Sequence, residues 1–584
     1  MSTSLRDIPG ASRRPGRRTA GTWPDGPRPV LFDPREGFGG RRTRWPFGGG
    51  GGRGTRRSPV DVALAVGGLL IVLVILRGAW TATRVHVEVT GLAHDDAVTF
   101  AEASKLDVRI RIGPDKRVAL SKLLLDGRPL DKAERLDDGF RWKATGPLTA
   151  GVHRLELEVP RPVLAPSRFV WTVLVDPQPP RITAPTELRE HRLDERVRIA
   201  GKVDTDASLT ANGRPVELDD EGRFTLSYRH PPAGPVLLVA EDRAGYVVKR
   251  EIFVPVERPL TRAVHMTAIS WNERDLREPV FDLIDQGKIN AVELDLKDES
   301  GEVGYHSRVP LARRIGAAKG YYDLRAAVKV LHAKGVRVIG RIVVYRDPIL
   351  ARRAWERGDR DWVVQKPDGT PQGAYGGFTN MASPEVRRYN LDLAAEAADL
   401  GVDEVLWDYI RRPEGDLSQM VFPGMPSTDD AVQRGVVKLL SDGHSLLRAK
   451  GVYQGASLFG VAAARPTTIG QNVPDVARHV DYIAPMVYPA LWVPGEYRVD
   501  DPPRMPFAIV VRSLEDFQAK AKGTSVRFVP WLQDFSLGGV VYGDLEIAEQ
   551  IRAADELGIR DWILWSPRVV YHAGRVEPVP GDDR

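Results

Sequence analysis

The chain has 584 residues, a formal net charge of +5 and no cysteine. This length is too great for one ordinary domain and predicts three or four compact units. The lack of cysteine excludes disulfides, thiolate catalysis and cysteine-based zinc sites. Thirteen arginines and only four acids fall within residues 1–59, so the rest of the chain has a net charge of −4. Because the basic charge is confined to this tail, we expect no nucleic-acid binding.

The chain begins with a polar tail and an apolar segment. Residues 1–59 are rich in Arg, Pro and Gly and bury little, which predicts disorder. Residues 60–80 are almost wholly apolar, and a bilayer core needs about 20 helical residues. With arginines before this segment, the positive-inside rule predicts a single-pass transmembrane helix and a cytoplasmic N-terminus. The folded domains would then lie outside, in a bacterial cell envelope. A cleaved signal peptide and a buried core helix are the alternatives.

Two β-rich units are expected next. Residues 84–176 and 177–257 contain short segments in which apolar and polar residues alternate, separated by turn signals. This spacing predicts two β-sandwich modules. Residues 216–226 and 240–245 resemble immunoglobulin-like modules of bacterial surface proteins. We interpret the modules as a spacer, because no aromatic platform stands out. A carbohydrate-binding role is the alternative.

Residues 263–574 alternate apolar strands with amphipathic helices. The eight strand candidates are residues 265–269, 291–296, 336–345, 404–408, 455–459, 482–488, 526–531 and 562–565. Repeated βα units predict a (β/α)₈ TIM barrel, an α/β fold whose active site lies at the C-terminal strand ends. A doubly wound open sheet is the competing topology. No glycine-rich phosphate loop follows an early strand, which argues against its nucleotide-binding version.

One strand candidate ends in a carboxylate. Asp408 closes the apolar run that begins at residue 404, and a carboxylate at the end of such a strand must be paired or functional. Glycoside cleavage usually needs two carboxyl groups, one on each side of the bond. We predict Asp408 as one catalytic carboxyl and Asp534 or Asp298 as the second, with Asp295 as a further candidate. For Asp534, capping of a loop is the alternative.

Other polar and aromatic side chains stand at the same strand ends. Polar groups bind sugar hydroxyls and aromatic rings cover sugar faces, so we predict substrate binding by Asp295, Lys297, Arg341, Tyr345, Tyr409, Arg411, Tyr488, Trp531, Gln533 and Trp565. Period-two alternation places Glu293, Asp295 and Lys297 on one face of a strand. The alternatives are an ion pair between Asp295 and Lys297 inside the barrel and rim packing by Tyr488 and Trp531.

Other hydrolytic chemistries have little support. No His-x-His or His-Glu-x-x-His spacing suggests a zinc site, and no Gly-x-Ser-x-Gly turn suggests a serine hydrolase. We therefore predict neither a metal nor a cofactor. A Ca²⁺ ion on the acidic loops stays an alternative.

Six segments of the barrel region resemble a known family, the putative glycoside hydrolase family of bacterial TIM-barrel proteins. They are residues 293–301, 339–348, 403–413, 469–471, 482–489 and 530–535. The resemblance implies a glycosidase-type barrel that acts on a cell-envelope or extracellular polysaccharide. Two positions depart from the pattern: Arg412 stands where many relatives have Phe, and Ser457 where some have an acid. If that acid is the proton donor elsewhere, Ser457 cannot replace it. A catalytically silent glycan-binding or envelope scaffold protein is thus the alternative.

Overall fold

The computed structural model describes Leu70 and residues 85–113, 115–146, 148–161 and 165–581. The tail predicted at residues 1–59 lies outside them, and so does the helix predicted at residues 60–80, apart from Leu70. Within the described ranges, no helix combines the length and the apolar character that crossing a membrane requires.

The first β module consists of two sheets around one core. Along β3, alternate side chains are buried, and Ile110, Leu155 and Val173 meet in the core. The sheet orders are β1–β3–β7–β6 and β2–β9–β8–β4–β5. Its elements are β1 (His86–Thr90), β2 (Asp96–Thr99), α1 (Phe100–Ala103), β3 (Asp107–Gly113), β4 (Lys122–Leu125), β5 (Arg128–Pro129), β6 (Glu134–Leu136), β7 (Gly139–Lys143), β8 (Gly151–Val159) and β9 (Ser167–Asp176).

The second β module repeats this plan with fewer strands. Its sheets have the orders β10–β11–β14 and β13–β12–β15–β16, and Ile199, Phe224 and Leu238 lie in the core that they share. The strands are β10 (Ile182–Thr183), β11 (Val197–Val203), β12 (Ser208–Ala211), β13 (Arg214–Pro215), β14 (Arg223–Tyr228), β15 (Val236–Glu241) and β16 (Val247–Ile252). The prediction of all-β sheets before the barrel is confirmed.

Eight parallel strands then close into a barrel, in the order β17–β18–β21–β22–β23–β24–β26–β27 and back to β17. The predicted TIM barrel is therefore confirmed. The strands are β17 (Arg262–Met266), β18 (Ala291–Lys297), β19 (Val303–Tyr305), β20 (Ala318–Tyr322), β21 (Arg337–Val343), β22 (Glu404–Asp408), β23 (Tyr453–Phe459), β24 (Tyr482–Met486), β25 (Arg527–Phe528), β26 (Trp531–Gln533) and β27 (Trp562–Trp565). Strands β19 and β20 extend the sheet beside β18, and β25 pairs with β24.

Helices follow most barrel strands and cover the outside. They are α2 (Arg274–Asp285), α3 (Pro310–Arg314), α4 (Leu324–Ala333), α5 (Pro348–Arg357), α6 (Pro384–Asp399), α7 (Asp429–Ala449), α8 (Val473–Ala477), α9 (Pro506–Lys520) and α10 (Asp544–Glu556). Helix α6 begins as its sequence indicates, with the Ser383 hydroxyl accepting the Val386 N–H and Pro384 at the first helical position.

The first barrel strand differs from its predicted bounds. It ends at Met266, whereas the pattern predicted a strand over residues 265–269. Thr267 starts a turn in which its hydroxyl accepts the Ser270 N–H and its carbonyl accepts the Ser270 O–H. Such local hydrogen bonds compete with strand pairing.

Two apolar layers pack against the barrel strands, one on each side of the sheet. The larger one packs the strands against the helices, and the smaller one lies inside the barrel with Ala263, Ile339, Leu406, Tyr482 and Trp531 among its members. Toward the C-terminal strand ends, the inward-facing positions change from apolar to charged. This change gives the barrel a polar end where the candidate site lies.

Candidate active site

Asp408, the last residue of β22, is held by four hydrogen bonds. Its Oδ2 accepts from Arg341 Nε at 2.9 Å and Nη2 at 2.6 Å. Its Oδ1 accepts from the Tyr409 N–H at 2.7 Å and from the Ser457 hydroxyl. Tyr409 has a φ of 48°, a left-handed conformation that is costly for a tyrosine and common at functional sites. The buried carboxylate is thus fixed in one orientation.

Arg341 joins three carboxylates at this end of the barrel. Besides Asp408, its guanidinium binds Asp295 Oδ1 at 2.7 Å and Glu299 Oε1. The guanidinium also lies 5.6 Å from the ring centre of Trp531. Burial lowers the pKa of Arg341, but the three carboxylates outweigh burial and raise it. Arg341 therefore remains a cation, and we call these four residues the Arg341 cluster.

Glu299 is the more accessible carboxyl of the Arg341 cluster. Its side chain is 29% exposed, whereas that of Asp408 is 1% exposed. Both accept a hydrogen bond from the same nitrogen, Arg341 Nη2. Since a hydrogen bond spans about 3 Å, their nearest oxygens lie within about 6 Å of each other. Burial raises the pKa of Glu299, but the charge of Arg341 outweighs it and holds that pKa below its ordinary value.

Glu293 is a further buried acid, and it lies on the same face of β18 as Asp295. Neither of its oxygens has a hydrogen-bond partner among the described residues. Burial raises the pKa of Glu293 to about 8, against the lowering effect of His265 and Arg341. On β17, His265 Nε2 lies 3.1 Å from Asp295 Oδ1, and the nearby acids raise its pKa although burial lowers it. At neutral pH Glu293 is therefore the protonated acid of this region.

An aromatic wall borders the Arg341 cluster. The ring of Trp565, at the end of β27, stacks on those of His265, Tyr488 and Trp531 with centroid distances of 5.6, 5.8 and 6.2 Å. The Tyr488 hydroxyl and both indole N–H groups are buried without a hydrogen-bond partner in the described part of the chain. His265, Tyr488 and Trp531 are buried and Trp565 is half-buried, so the wall is packed mainly against itself, and its unpaired donors are the polar groups that it could offer to a ligand.

Three predicted binding residues do not join the site. A register shift between Asp295 and Lys297 turns Lys297 away from the barrel interior, so the prediction that it shares a face with Glu293 and Asp295 is wrong. Its amine binds Asp347 at 2.9 Å and Asn390 at 2.7 Å in the helix layer. Tyr345 is also buried in the outer core. The Gln533 amide joins loops by accepting the Ala490 N–H and donating to the Phe535 carbonyl.

The two other predicted catalytic acids are engaged elsewhere. Asp298 Oδ1 accepts from the Ser300 N–H and hydroxyl and from the Glu302 N–H within the β18–β19 turn. Burial raises the pKa of Asp298 to about 6. Asp534 accepts from the backbone N–H of His572 at 2.8 Å and lies 2.7 Å from its Nδ1. Neither acid forms a hydrogen bond with Arg341, and their catalytic role stays a prediction.

The two departures from the family pattern have structural explanations. Ser457 donates to Asp408, so it orients the carboxylate that it cannot replace. The Arg412 guanidinium donates to the carbonyls of Pro413, Gly415 and Thr467 and joins two rim loops. Both residues therefore hold parts of the rim in place.

Sequence reasoning missed Glu299, Glu293 and His265 as site residues. Glu293 shares the predicted inward face of β18, and His265 lies on a predicted strand, so alternation offered a signal for both. Glu299 follows Asp298 in a loop, where no periodicity shows the direction of a side chain. Among the described residues, no group of three or more His, Cys, Asp or Glu could hold a metal ion.

A closed parallel barrel with carboxyl groups and aromatic rings at its C-terminal end is the arrangement of barrel glycosidases. Residues 263–571, more than half of the chain, match the family described as the putative glycosyl hydrolase domain. The chain belongs to this family, and the predicted resemblance is confirmed. The comparison with curated proteins finds no match.

Several solved structures resemble parts of the chain. A hypothetical protein from Ruminiclostridium thermocellum ATCC 27405 is 27% identical over 33% of this chain and 96% of its own, with a TM-score of 0.29. The PgaB (BpsB) glycoside hydrolase domain from Bordetella bronchiseptica is 16% identical over 53% of this chain and 95% of its own, with a TM-score of 0.40. An Ostrinia furnacalis Group II chitinase domain is 12% identical over 54% of this chain and 92% of its own, with a TM-score of 0.34.

Proposed function

We propose that this protein is a membrane-anchored, extracytoplasmic glycoside hydrolase that cleaves a cell-envelope or extracellular polysaccharide with Asp408 and Glu299. The observation that carries this assignment is the shared nitrogen Arg341 Nη2, which brings two carboxyl groups to one point of the rim. Membrane anchoring rests on the apolar residues 60–80.

Asp408 acts as the carboxylate that stabilises the transition state. It pairs with Arg341 and is oriented by the Tyr409 N–H and the Ser457 hydroxyl. A fixed negative charge at this place stabilises the positive charge that develops on the sugar ring in the transition state. Its preset orientation means that little reorganisation accompanies the reaction.

Glu299 acts as the acid and base. In the free protein, Arg341 holds its pKa down although burial raises it. A sugar that separates Glu299 from Arg341 removes the lowering effect and leaves burial to raise the pKa. The carboxyl then takes up a proton that it donates to the leaving oxygen.

The separation of the two carboxyls predicts the stereochemical outcome. Carboxyl groups about 5–5.5 Å apart accompany retention, and those about 6.5–9.5 Å apart leave room for water and accompany inversion. In the free protein, before a sugar separates Glu299 from Arg341, the shared nitrogen limits this spacing to about 6 Å, which is nearer to the retaining range.

A polysaccharide panel tests the proposed function. The full-length protein, its Asp408→Asn variant and its Glu299→Gln variant are each incubated with envelope and extracellular polysaccharides, and new reducing ends are measured. We expect release by the wild type on at least one polysaccharide and loss of release in both variants. Equal release by wild type and Asp408→Asn would refute the assignment of Asp408. Binding without release by the wild type would instead identify a silent glycan-binding protein.

Anchoring is tested separately by fractionation of cells that express the protein. The full-length chain is expected with the membranes, and a chain that lacks residues 1–80 is expected in the soluble fraction. Release of the full-length chain by a salt wash would contradict a transmembrane anchor.

A further inference from the structure

Beside the Arg341 cluster, two arginines and two tyrosines form a second group at the same barrel end. Arg346 follows β21, Tyr409 and Arg411 follow β22, and Tyr375 lies in the loop between α5 and α6. Tyr375 and Tyr409 are both among the non-glycine residues with positive φ, at 51° and 48°. We call these four residues the Arg346 group.

Arg346 is held in place by the two aromatic rings. Its guanidinium lies 4.9 Å from the ring centre of Tyr375 and 5.1 Å from that of Tyr409, and its Nη1 donates to the Tyr409 hydroxyl at 2.8 Å. Stacking on aromatic faces fixes a planar guanidinium while its charge stays available to a ligand. The side chain is therefore preorganised.

The two arginines differ in how their charge is balanced. Arg411 forms an ion pair with Glu414 at 3.2 Å, and Glu414 also accepts the Tyr375 hydroxyl at 2.6 Å. Arg346 has no acidic partner among the described residues, and its Nε is buried without a hydrogen bond. The half-buried guanidinium uses only Nη1 in a hydrogen bond with the described residues, so its other terminal nitrogen can donate to an anion.

Tyr375 offers a surface for a sugar ring. Its side chain is 47% exposed although it contacts Phe378 edge to face and lies within 6.0 Å of Arg411. Tyr409 directly follows Asp408 in the chain, so a sugar on Tyr375 and Arg346 occupies a position next to the sugar that is cleaved. Negative charge on that neighbouring sugar meets Arg346.

We infer that the Arg346 group is a subsite for a sugar carboxylate, and that the substrate is an acidic polysaccharide with uronic acid or another carboxylated sugar beside the cleaved bond. This inference rests on the proposed function, since it places the subsite next to Asp408. The carboxylate accepts hydrogen bonds from Arg346, and the ring of the same sugar lies on Tyr375.

Binding measurements test the subsite without requiring turnover. Full-length Asp408→Asn protein is titrated with oligomers of glucuronate, galacturonate and mannuronate, each beside its uncharged methyl ester. For at least one sugar, we expect the acid to bind about tenfold more tightly than the ester. This difference in affinity should decrease as the salt concentration rises. Arg346→Gln should abolish this preference. Arg346→Lys should retain part of it, because lysine keeps the charge but loses the planar fork.

The matched control is Arg352→Gln, which removes an exposed arginine of α5 outside the Arg346 group and should leave the preference unchanged. Equal binding of acid and ester for all three sugars would overturn the inference, and so would a preference that survives in Arg346→Gln with an unchanged unfolding midpoint. Displacement of the oligomer by inorganic phosphate at lower concentration than by free uronate would overturn the assignment to a carboxylate. A preference in a wild type that cleaves no polysaccharide would support the subsite and contradict only the proposed hydrolysis.

Discussion

Acids and arginines form ion pairs at both ends of the barrel. Arginines outnumber acids in the pairs at the N-terminal end, and acids outnumber arginines in the pairs at the C-terminal end. At the N-terminal end, two buried acids, Glu404 and Asp561, share three arginines. Arg258 lies 3.4 Å from Glu404 and 3.6 Å from Asp561, Arg337 lies 3.0 Å from Glu404, and Arg527 lies 2.9 Å from Asp561. At the C-terminal end, three carboxylates share the single guanidinium of Arg341.

The two ends also differ in how burial and the neighbouring charges affect their acids. Where cations outnumber acids, the acids stay ionised: burial raises the pKa of Glu404, but Arg258 and Arg337 outweigh it and lower that pKa. At the C-terminal end, Arg341 likewise lowers the pKa of Glu299, whereas burial raises the pKa of Glu293 to about 8. Buried charge alone therefore does not identify an active site. The C-terminal end differs in having a buried acid with a raised pKa beside a partly exposed carboxyl, and perturbed pKa values of this kind are common at functional sites.

The N-terminal end of the barrel also borders the second β module. A cavity of about 670 Å³ there is lined by Arg258, Arg337 and Asp561 from the barrel and by Arg192 and Asp194 from the second β module. Its acids and arginines are largely paired with each other, which is typical of a contact between modules. The next four predictions use this contrast between the two ends.

The largest expected effect is that of Asp408→Asn on hydrolysis. The amide has the same shape but no charge, so Arg341 and the developing positive charge on the sugar lose their partner. We expect kcat/KM to fall by about a thousandfold or more. Initial rates of reducing-end release measure it, and an unchanged near-ultraviolet circular dichroism spectrum serves as the control for folding. A rate within tenfold of the wild type would contradict the role of Asp408.

The corresponding change at the other end, Glu404→Gln, should affect stability instead. It leaves Arg258 and Arg337 buried beside an uncharged amide, and breaking a buried ion pair in this way costs about 3–5 kcal/mol of the free energy of unfolding. Denaturant unfolding measures the loss. At a temperature where the variant is folded, its kcat/KM should equal that of the wild type. A large loss of kcat/KM in folded protein would mean that the two ends are not functionally separate.

Glu293→Gln should change how stability depends on pH. The folded-state pKa of about 8 lies above the unfolded value of 4.5, so between these values the folded state binds more protons. The contribution of this proton binding to the free energy of unfolding is greatest below about pH 4.5 and is lost as the pH rises toward 8. Removing the acid should remove this loss and stabilise the variant over the wild type by on the order of 1–3 kcal/mol at pH 7.

Unfolding midpoints of Glu293→Gln and the wild type, compared from pH 4 to pH 9, test this expectation. The gain of the variant should shrink as the pH falls toward 4.5. Parallel pH profiles would show that Glu293 does not titrate differently in the two states.

Ser457→Ala should have the smallest effect. It removes one of four hydrogen bonds to Asp408 and leaves Arg341 and the Tyr409 N–H in place. We expect kcat to fall about tenfold, which corresponds to about 1.4 kcal/mol. Ser457→Thr keeps the hydroxyl and serves as the matched variant. A loss as large as that of Asp408→Asn would mean that Ser457 takes part in the chemistry.

The sequence predicted the features that depend on periodicity. Alternating strands and helices gave the barrel, and the apolar run before Asp408 placed that carboxylate at a strand end. Features set by a single irregularity could not be predicted. The register shift in β18 turned Lys297 outward. The β18–β19 turn used the Asp298 carboxylate and directed Glu299 toward Arg341. Tertiary contacts between distant segments, such as that of Asp534 with His572, also leave no local pattern.

The proposed role of Glu299, which shares Arg341 Nη2 with Asp408, is that of the proton donor. It is tested most directly by the rates of Glu299→Gln on two substrates of one sugar, a polysaccharide and an aryl glycoside with a 2,4-dinitrophenyl leaving group. The activated leaving group departs without protonation. We predict a loss of kcat/KM of at least about a hundredfold on the polysaccharide and less than about tenfold on the aryl glycoside. Equal losses on both would contradict the assignment of Glu299.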